Sequence, residues 1–381
     1  MRIAILSVSE KGKKLSSRLK TLLDEDPTII KVTTFHKNVK DNINIIFNNN
    51  LNNNVESNNS IESNNNTDYD AIIGIMATGI LIRNISDKIQ DKTTDPAILS
   101  MDDNGKYVIS LVSGHIGGAN ELSKKISELI ESKPVITTAT DTSAKVGIDT
   151  LAIKLYWDIL NKNEILAFNK AILEEKHIKI YINTSKNDKI EYKDDIEEYL
   201  KNQEKNTLEI IDLKNTDLSI KSIQDGTGNN HDKYGDSNII SSFDGNVMFF
   251  KPRKIVMGIG AKANISKEKV ITAIQTAMTN LNLPIKRIDS ISTVDIKKDE
   301  EGILEAVKEI DKPLDIVNIS EIKEFESPEI SNSDFVQEKF DIPGVAEPVA
   351  LIVAKRGHLD SKLIHKKIAI DGVTVAVAVS K

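Results

Sequence analysis

Residues 107–112 (YVISLV) are strand formers that break at Ser113 into a loop with one histidine and adjacent glycines, and an amphipathic helix follows at once: SGHIGGANELSKKI. The same succession of strand, glycine turn and helix recurs at GIMATGILIR (74–83) and MGIGAKANIS (257–266). A chain whose buried strands repeatedly feed helices must cover those strands with helical layers, which constrains the fold to α/β. Each junction also brings glycine backbone to a helix N-terminus, where an anion or a developing oxyanion is stabilised. The 113–126 segment adds His115, the side chain most readily tuned for proton transfer near neutral pH.

The pattern along the chain predicts N-terminal and C-terminal α/β domains flanking a less regular middle region: 1–138, 139–250 and 251–381. In the first, strands over 3–8, 29–35 and 71–77 alternate with helices, and DDNG (102–105) has the chemistry of a tight hairpin turn. PVITTATDTS (134–143) reads as a last strand ending in a polar loop. The Asn-rich insertion 38–66 is too polar to bury a core and reads as a solvated loop, with a short helix within 41–51. In the middle region 151–160 and 164–175 look helical, 178–182 strand-like, and 214–238 a polar loop. The C-terminal domain opens with a strand, Ser266 as N-cap and a helix over 267–281. Residues 313–320 read as a strand capped by Ser320. DIPGVAEPVALIVAK (341–355) is a turn feeding an apolar helix, and LIHKKIAI and GVTVAVAVS close the chain as strands.

Composition narrows the function classes. The 381 residues contain no cysteine, which excludes disulfides, thiolate zinc sites, iron–sulfur clusters and a cysteine nucleophile. A net charge of −7 argues against nucleic acid as a partner. No apolar stretch approaches the roughly 20 residues of a membrane helix, and the apolar run after Met1 is too short for a signal peptide. No membrane partner and a cytoplasmic location are expected.

Several residues carry candidate chemistry, each with a structural alternative. Gly74 and Gly79 bracket a turn whose amides can meet a carboxylate or phosphate beside Arg83, or simply pack helix against sheet. Glycine around His115 lets a ligand approach closely. Asn120 and Glu121 lie in the first turn of the helix that follows, pointing into the same mouth or capping it. Asp141 stands just beyond a strand end, where open α/β sheets bind ligands, or starts a turn. Glu347, before Pro348, is a general base or an acid that stabilises its helix dipole. The turn at 257–266 has only Gly258 and Gly260, short of a dinucleotide motif.

Taken in order, G-TGI-R, DK-TDPA, D-G, SGH-GGANEL and PVITTATD within 74–150 resemble the N-terminal domain of the cobalt-precorrin 5A hydrolases of anaerobic cobalamin biosynthesis. MGIG…IS (257–266), FV…GVAEPVAL (335–351) and GVTVAVA (372–378) resemble that family's C-terminal domain. Ala261 and Ala263 depart from the family's usual cysteine, basic pair and further glycine at that turn. The resemblance implies a hydrolase. Its substrate is a cobalt-bearing, ring-contracted tetrapyrrole with a δ-lactone on ring A; water opens the lactone and acetaldehyde leaves, giving cobalt-precorrin 5B. It implies no cofactor, since the cobalt belongs to the substrate, and transient contact with neighbouring pathway enzymes. Placed on this chain, the base is His115, the oxyanion donors are the amides of Gly117 and Gly118, and Asp141 or Glu347 handles the later proton transfer. Gly79, Arg83, Asn120, Glu121 and Lys262 complete the substrate contacts, the two cations pairing with peripheral carboxylates. The alternatives are a non-catalytic carrier of cobalt-precorrins and, with weaker motifs, a nucleotide-binding enzyme.

Overall fold

The computed structural model describes residues 1–48, 69–91, 94–138, 145–182, 190–203, 205–213 and 239–381. The chain divides into two compact units, 1–143 and 144–381. Among the described residues no helix is long and apolar enough to cross a membrane.

The first unit runs β1 (Arg2–Ser7), α1 (Glu10–Asp24), β2 (Lys31–His36), α2 (Val39–Asn48), β3 (Ala71–Ile75), α3 (Thr78–Ile85), β4 (Ala97–Met101), β5 (Tyr107–Val112), α4 (Ala119–Ile130) and β6 (Lys133–Val135). Its sheet has the order β2-β1-β3-β4-β5-β6. The first four strands are parallel. β5 then reverses against β4, and β6 follows β5's direction. The reversal is written into DDNG. Asp102 accepts from the amides of Asn104, Lys106 and Tyr107 at 2.8–3.0 Å, and Gly105 takes the positive φ of 68° that the turn needs.

Strand alternation sorts the two faces of this sheet. Ile3 and Ile5 face α1 and α4 through Leu19, Leu23, Leu122 and Ile126. Ala4 and Leu6 face α2 and α3 through Ile43, Ile46, Phe47, Leu81 and Ile85. Helices α1 and α3 therefore leave the carboxyl ends of β1 and β3 on opposite faces, which makes that pair a topological switch point.

The second unit begins with α5 (Ile148–Lys154), β7 (Trp157–Ile159), α6 (Ile165–Leu173), β8 (Ile178–Ile182), α7 (Lys193–Lys201), β9 (Leu208–Asp212), β10 (Ile239–Phe243) and β11 (Asn246–Pro252). These strands form a sheet of order β7-β11-β10-β8-β9. Then come β12 (Ile255–Ala261), α8 (Lys267–Asn280), β13 (Ser290–Val294), α9 (Glu301–Ile310), β14 (Leu314–Val317), α10 (Ile319–Glu324), α11 (Asp334–Phe340), α12 (Ala346–Lys355), β15 (Ser361–Ile370) and β16 (Val373–Ser380). The second sheet has the order β14-β13-β12-β16-β15, with β15 and β16 an antiparallel hairpin.

Fully buried Arg287 joins the two halves of this unit. Its guanidinium donates to Leu155 O, Arg253 O and the Asp289 carboxylate at 2.7–2.9 Å. It also lies 5.2 Å from the Tyr192 ring centre. Burial pushes the Tyr192 phenol up, against the lowering influence of Arg287. Charge-assisted bonds to two carbonyls and a carboxylate are what make a buried guanidinium tolerable.

Three expectations need correction. The helix expected over 151–160 stops at Lys154, because Tyr156 turns left-handed (φ 54°) to deliver Trp157 into the sheet, where its indole donates to Tyr192 Oη at 2.8 Å. The strand from Pro134 shrinks to Lys133–Val135. Ser320 sits inside α10, with Asn318 at the N-cap. Ser266 occupies the N-cap of α8 as expected, without a side-chain capping bond. Residues 49–68, most of the Asn-rich insertion, lie outside the described residues, and α2 takes up its start.

Residues Ile255, Met257 and Ile259 of β12 pack with α8 and α9. Gly258 meets α12 on the other face: a Cβ there would stand 2.0 Å from Ala346 O. Gly258→Ala is expected to force α12 off the sheet and destabilise the protein by about 1–3 kcal/mol. Urea unfolding followed by circular dichroism measures this.

Candidate functional site

The His115 loop leaves β5, and β5 runs against β4. The loop therefore emerges at the amino-terminal edge of the parallel strands. Two close approaches confirm its place. A Cβ on Gly117 would stand 3.0 Å from Ala97 N at the start of β4, and one on Gly118 would lie 3.9 Å from Met1 Cε. Gly79 and Arg83 follow the carboxyl end of β3, at the opposite edge. The five residues of β3, roughly 13 Å of strand, separate the two motifs.

At the amino-terminal edge, Ser113 takes a left-handed φ of 56° and Gly118 one of 84°, folding the loop back over α4. The loop uses much of its own polarity. Gly118 N–H donates to His115 O at 3.0 Å, Ala119 N–H to Ser113 O at 3.2 Å and Asn120 N–H to Gly114 O at 3.0 Å. The expectation of a bare helix mouth is thus corrected: the Gly118 amide is committed to the turn. Among the described residues the amides of Ile116 and Gly117 carry no such bond. His115 is partly exposed.

Asn120 is 3% exposed and lies beneath the loop rather than in its mouth. Its Oδ1 accepts from the Ser110 hydroxyl at 2.6 Å, and its Nδ2 donates to Thr138 Oγ1 at 2.9 Å. One side chain thus braces β5, the loop and the segment after β6. A Cβ on Gly114 would come within 2.8 Å of that Oδ1, so the brace needs glycine above it. Glu121 points away to solvent and pairs with Lys124 at 2.8 Å. Asp141 lies outside the described residues.

At the carboxyl edge, Arg83 lies back across Gly79, its Nη2 3.5 Å from where a Cβ would be. Both residues are exposed, and Arg83 has no ion pair among the described residues. The same edge carries a cluster not recognisable in the sequence. Ser7 Oγ lies 3.1 Å from His36 Nδ1, and His36 Nε2 lies 3.2 Å from Glu10 Oε1. Glu10 only accepts, so Nε2 carries the proton. The hydrogen bond from His36 holds the Glu10 carboxyl below its usual range. Three residues from three separate elements make this chain, so no local motif betrays it.

In the second unit Glu347 is 3% exposed and encircled by donors. Oε2 accepts from Ser331 N and Ser331 Oγ, each at 2.7 Å, and Oε1 accepts from Lys367 N at 3.0 Å. A carboxylate so enclosed ties a loop to β15 and has no open approach for a substrate proton. Lys262 is exposed after β12, its amide donating to Gly372 O at 2.9 Å. Its ammonium has no ion pair among the described residues.

Comparison with known proteins gives a consistent result. Two family models match, one described as Cobalamin synthesis G N-terminal over residues 62–141 and one as Cobalamin synthesis G C-terminus over 255–378. The chain is 32% identical to a Methanocaldococcus jannaschii protein named "probable cobalt-precorrin-5A hydrolase", over 99% of each chain. It is 26% identical to the cobalt-precorrin-5A hydrolase of Priestia megaterium, covering 81% of this chain and 78% of that one. The cobalt-precorrin-5A hydrolase of Salmonella typhimurium is 25% identical, over 82% and 83% of the two chains. Among solved structures, a cobalamin biosynthesis protein G homologue from Sulfolobus solfataricus matches with a TM-score of 0.56 and 25% identity, covering 100% of this chain and 97% of that chain.

Two outcomes check the geometry. Asn120→Ala removes the bonds to the Ser110 hydroxyl and to Thr138 Oγ1 and is expected to cost about 1–3 kcal/mol in urea unfolding. His36→Gln is expected to raise the Glu10 pKa, read by carbon-detected NMR titration. The sign follows from the lowered value: stabilisation from Glu10 is present above its unfolded pKa, near 4.5, and is lost as pH falls through the lower folded one.

Proposed function

Because the chain belongs to the CbiG family of cobalamin-synthesis proteins, we propose that it is a cobalt-precorrin-5A hydrolase, opening the ring A δ-lactone with water and releasing acetaldehyde to give cobalt-precorrin-5B. One observation carries this reading: similarity over 99% of both chains to a protein bearing that activity in its name. Both ends of the chain match, so the comparison is not confined to one portable domain.

The His115 loop suits the first step. A lactone opening needs a base for water and donors for the carbonyl oxygen as it becomes an oxyanion. His115 is the proposed base. The Gly117 amide, with that of Ile116, supplies donors that the loop leaves open, in place of the committed Gly118 amide. Asn120 acts from below, fixing the loop that carries them. Water adds across the acyl C–O bond, giving a carboxylate and a free alcohol. Loss of that alcohol's proton then lets the carbon–carbon bond break, and the two-carbon fragment departs as acetaldehyde. Asp141 is the proposed group for this second proton transfer, since Glu347 is enclosed by Ser331 and Lys367.

The peripheral carboxylates of such a substrate call for cations, and Lys262, which has no ion pair among the described residues, is the one proposed. Arg83 projects from the opposite edge of the sheet to the reacting loop, so it is not assigned to the ring held there. The reading requires no resident cofactor, the cobalt arriving with the substrate, and it fits a cytoplasmic enzyme.

Anaerobic incubation with cobalt-precorrin-5A, scored by an alcohol dehydrogenase–NADH couple, tests the reading. Acetaldehyde in proportion to enzyme is expected, and His115→Ala should lower its rate by about 10²–10⁴-fold. Bound corrinoid with no acetaldehyde would indicate a carrier instead. Near-normal turnover by His115→Ala would remove the base assignment while leaving the hydrolase.

A further inference from the structure

The hydroxyls around the His115 loop are bonded, with one exception. Ser110 Oγ donates to Asn120 Oδ1 at 2.6 Å, Ser123 Oγ donates to Asn120 O at 2.7 Å, and Thr138 Oγ1 accepts from Asn120 Nδ2 at 2.9 Å. Ser113 is 8% exposed, yet its Oγ is buried with no hydrogen-bond partner among the described residues. Its carbonyl is in use, accepting from Ala119 N–H at 3.2 Å. Its backbone stands at a left-handed φ of 56°, where a side chain crowds the chain and glycine would not. An unpaired buried donor and a left-handed serine are each destabilising, and both fall on one residue, two places before His115.

Gly117 lies over this side chain. A Cβ on Gly117 would stand 2.5 Å from Ser113 Cβ and 2.9 Å from Ser113 O. The foot of the loop is tied by the bonds from Ala119 to Ser113 and from Asn120 to Gly114. The tip is not: the amides of Ile116 and Gly117 carry no such bond among the described residues. Turning the tip aside, with the foot in place, uncovers Ser113 Oγ beside those two amides.

We propose that Ser113 is a further catalytic residue, whose hydroxyl donates to the lactone oxyanion alongside the amides of Ile116 and Gly117 once substrate displaces the tip. This rests on the hydrolase reading for the reaction. A donor fits the geometry better than a nucleophile. A serine nucleophile needs a base in hydrogen-bond contact, and Ser113 Oγ touches none, His115 included. A donor needs only an O–H that is not already spent in the free protein. Its bond then strengthens as charge develops on the substrate oxygen, which is the condition for lowering the barrier.

Ser113→Ala separates this role from a structural one, because the two give opposite signs in stability. With no bond to lose, the variant is expected to unfold at a urea midpoint about 0.3 M higher. Its kcat on cobalt-precorrin-5A should fall about 10²–10³-fold. KM should stay within about threefold and the midpoints of the kcat–pH profile should not move, since the hydroxyl does not titrate in that range. A lower urea midpoint, or a variant that does not fold, would show that Ser113 holds the loop together and would overturn the proposal. Undiminished kcat would overturn it too. Ser113→Gly relieves the backbone and should lose as much kcat as the alanine variant. Full activity in the glycine variant would trace the alanine effect to the backbone and remove the hydroxyl's role. Absence of acetaldehyde from the unaltered protein would end the hydrolase reading and the role of Ser113 together. Turnover by the unaltered protein, matched by both variants, would end only the role of Ser113.

Discussion

The reversal of β5 against β4 governs the functional geometry of the first unit. Four parallel strands end together at one edge, with Ser7, His36, Ile75 and Met101 as their last residues. Had β5 continued in parallel, the His115 loop would have joined that edge beside Gly79 and Arg83. Asp102 and Gly105 instead close a hairpin, and the loop comes out at the other end, against Ala97 and Met1. A few hydrogen bonds at one turn therefore decide which side chains can share a ligand.

Both units use the same device at their junctions: a polar side chain out of solvent holds a loop that carries the exposed groups. Asn120 does this beneath the His115 loop, and Glu347 beneath the segment that carries Ser331. Each is almost fully buried and bonded on both of its terminal atoms. Such groups are stable only when satisfied, so they fix the foot of each loop in one conformation rather than an ensemble. Arg287 plays the same part on a larger scale, binding carbonyls from both halves of the second unit.

Much of this was legible beforehand. The strand-to-helix junctions, the DDNG hairpin, the two closing strands and the layered α/β class all follow from periodicity and turn chemistry. The roles of individual site residues were harder to read. Asn120 and Glu121 are adjacent in one helical turn, yet one points inward to Ser110 and Thr138 and the other outward to Lys124. Glu347 before Pro348 has the pattern of a first-turn acid, and only the fold brings Ser331 and Lys367 to it. The DDNG hairpin implies the reversal of β5, but that it separates His115 from Arg83 shows only once β4 is paired parallel to β3, and no local pattern encodes that long-range pairing. The Ser7–His36–Glu10 chain was missed for the same reason, since its members come from three different elements.

Hydrogen–deuterium exchange of the full chain, with and without bound cobalt-precorrin-5A under anaerobic conditions, tests most directly where the chemistry takes place. The account predicts that ligand slows exchange of the amides at 114–118 and leaves those at 77–83 unchanged. Slowed exchange at 77–83 with 114–118 unaffected would contradict it, moving the reacting edge to the carboxyl ends of β1 and β3.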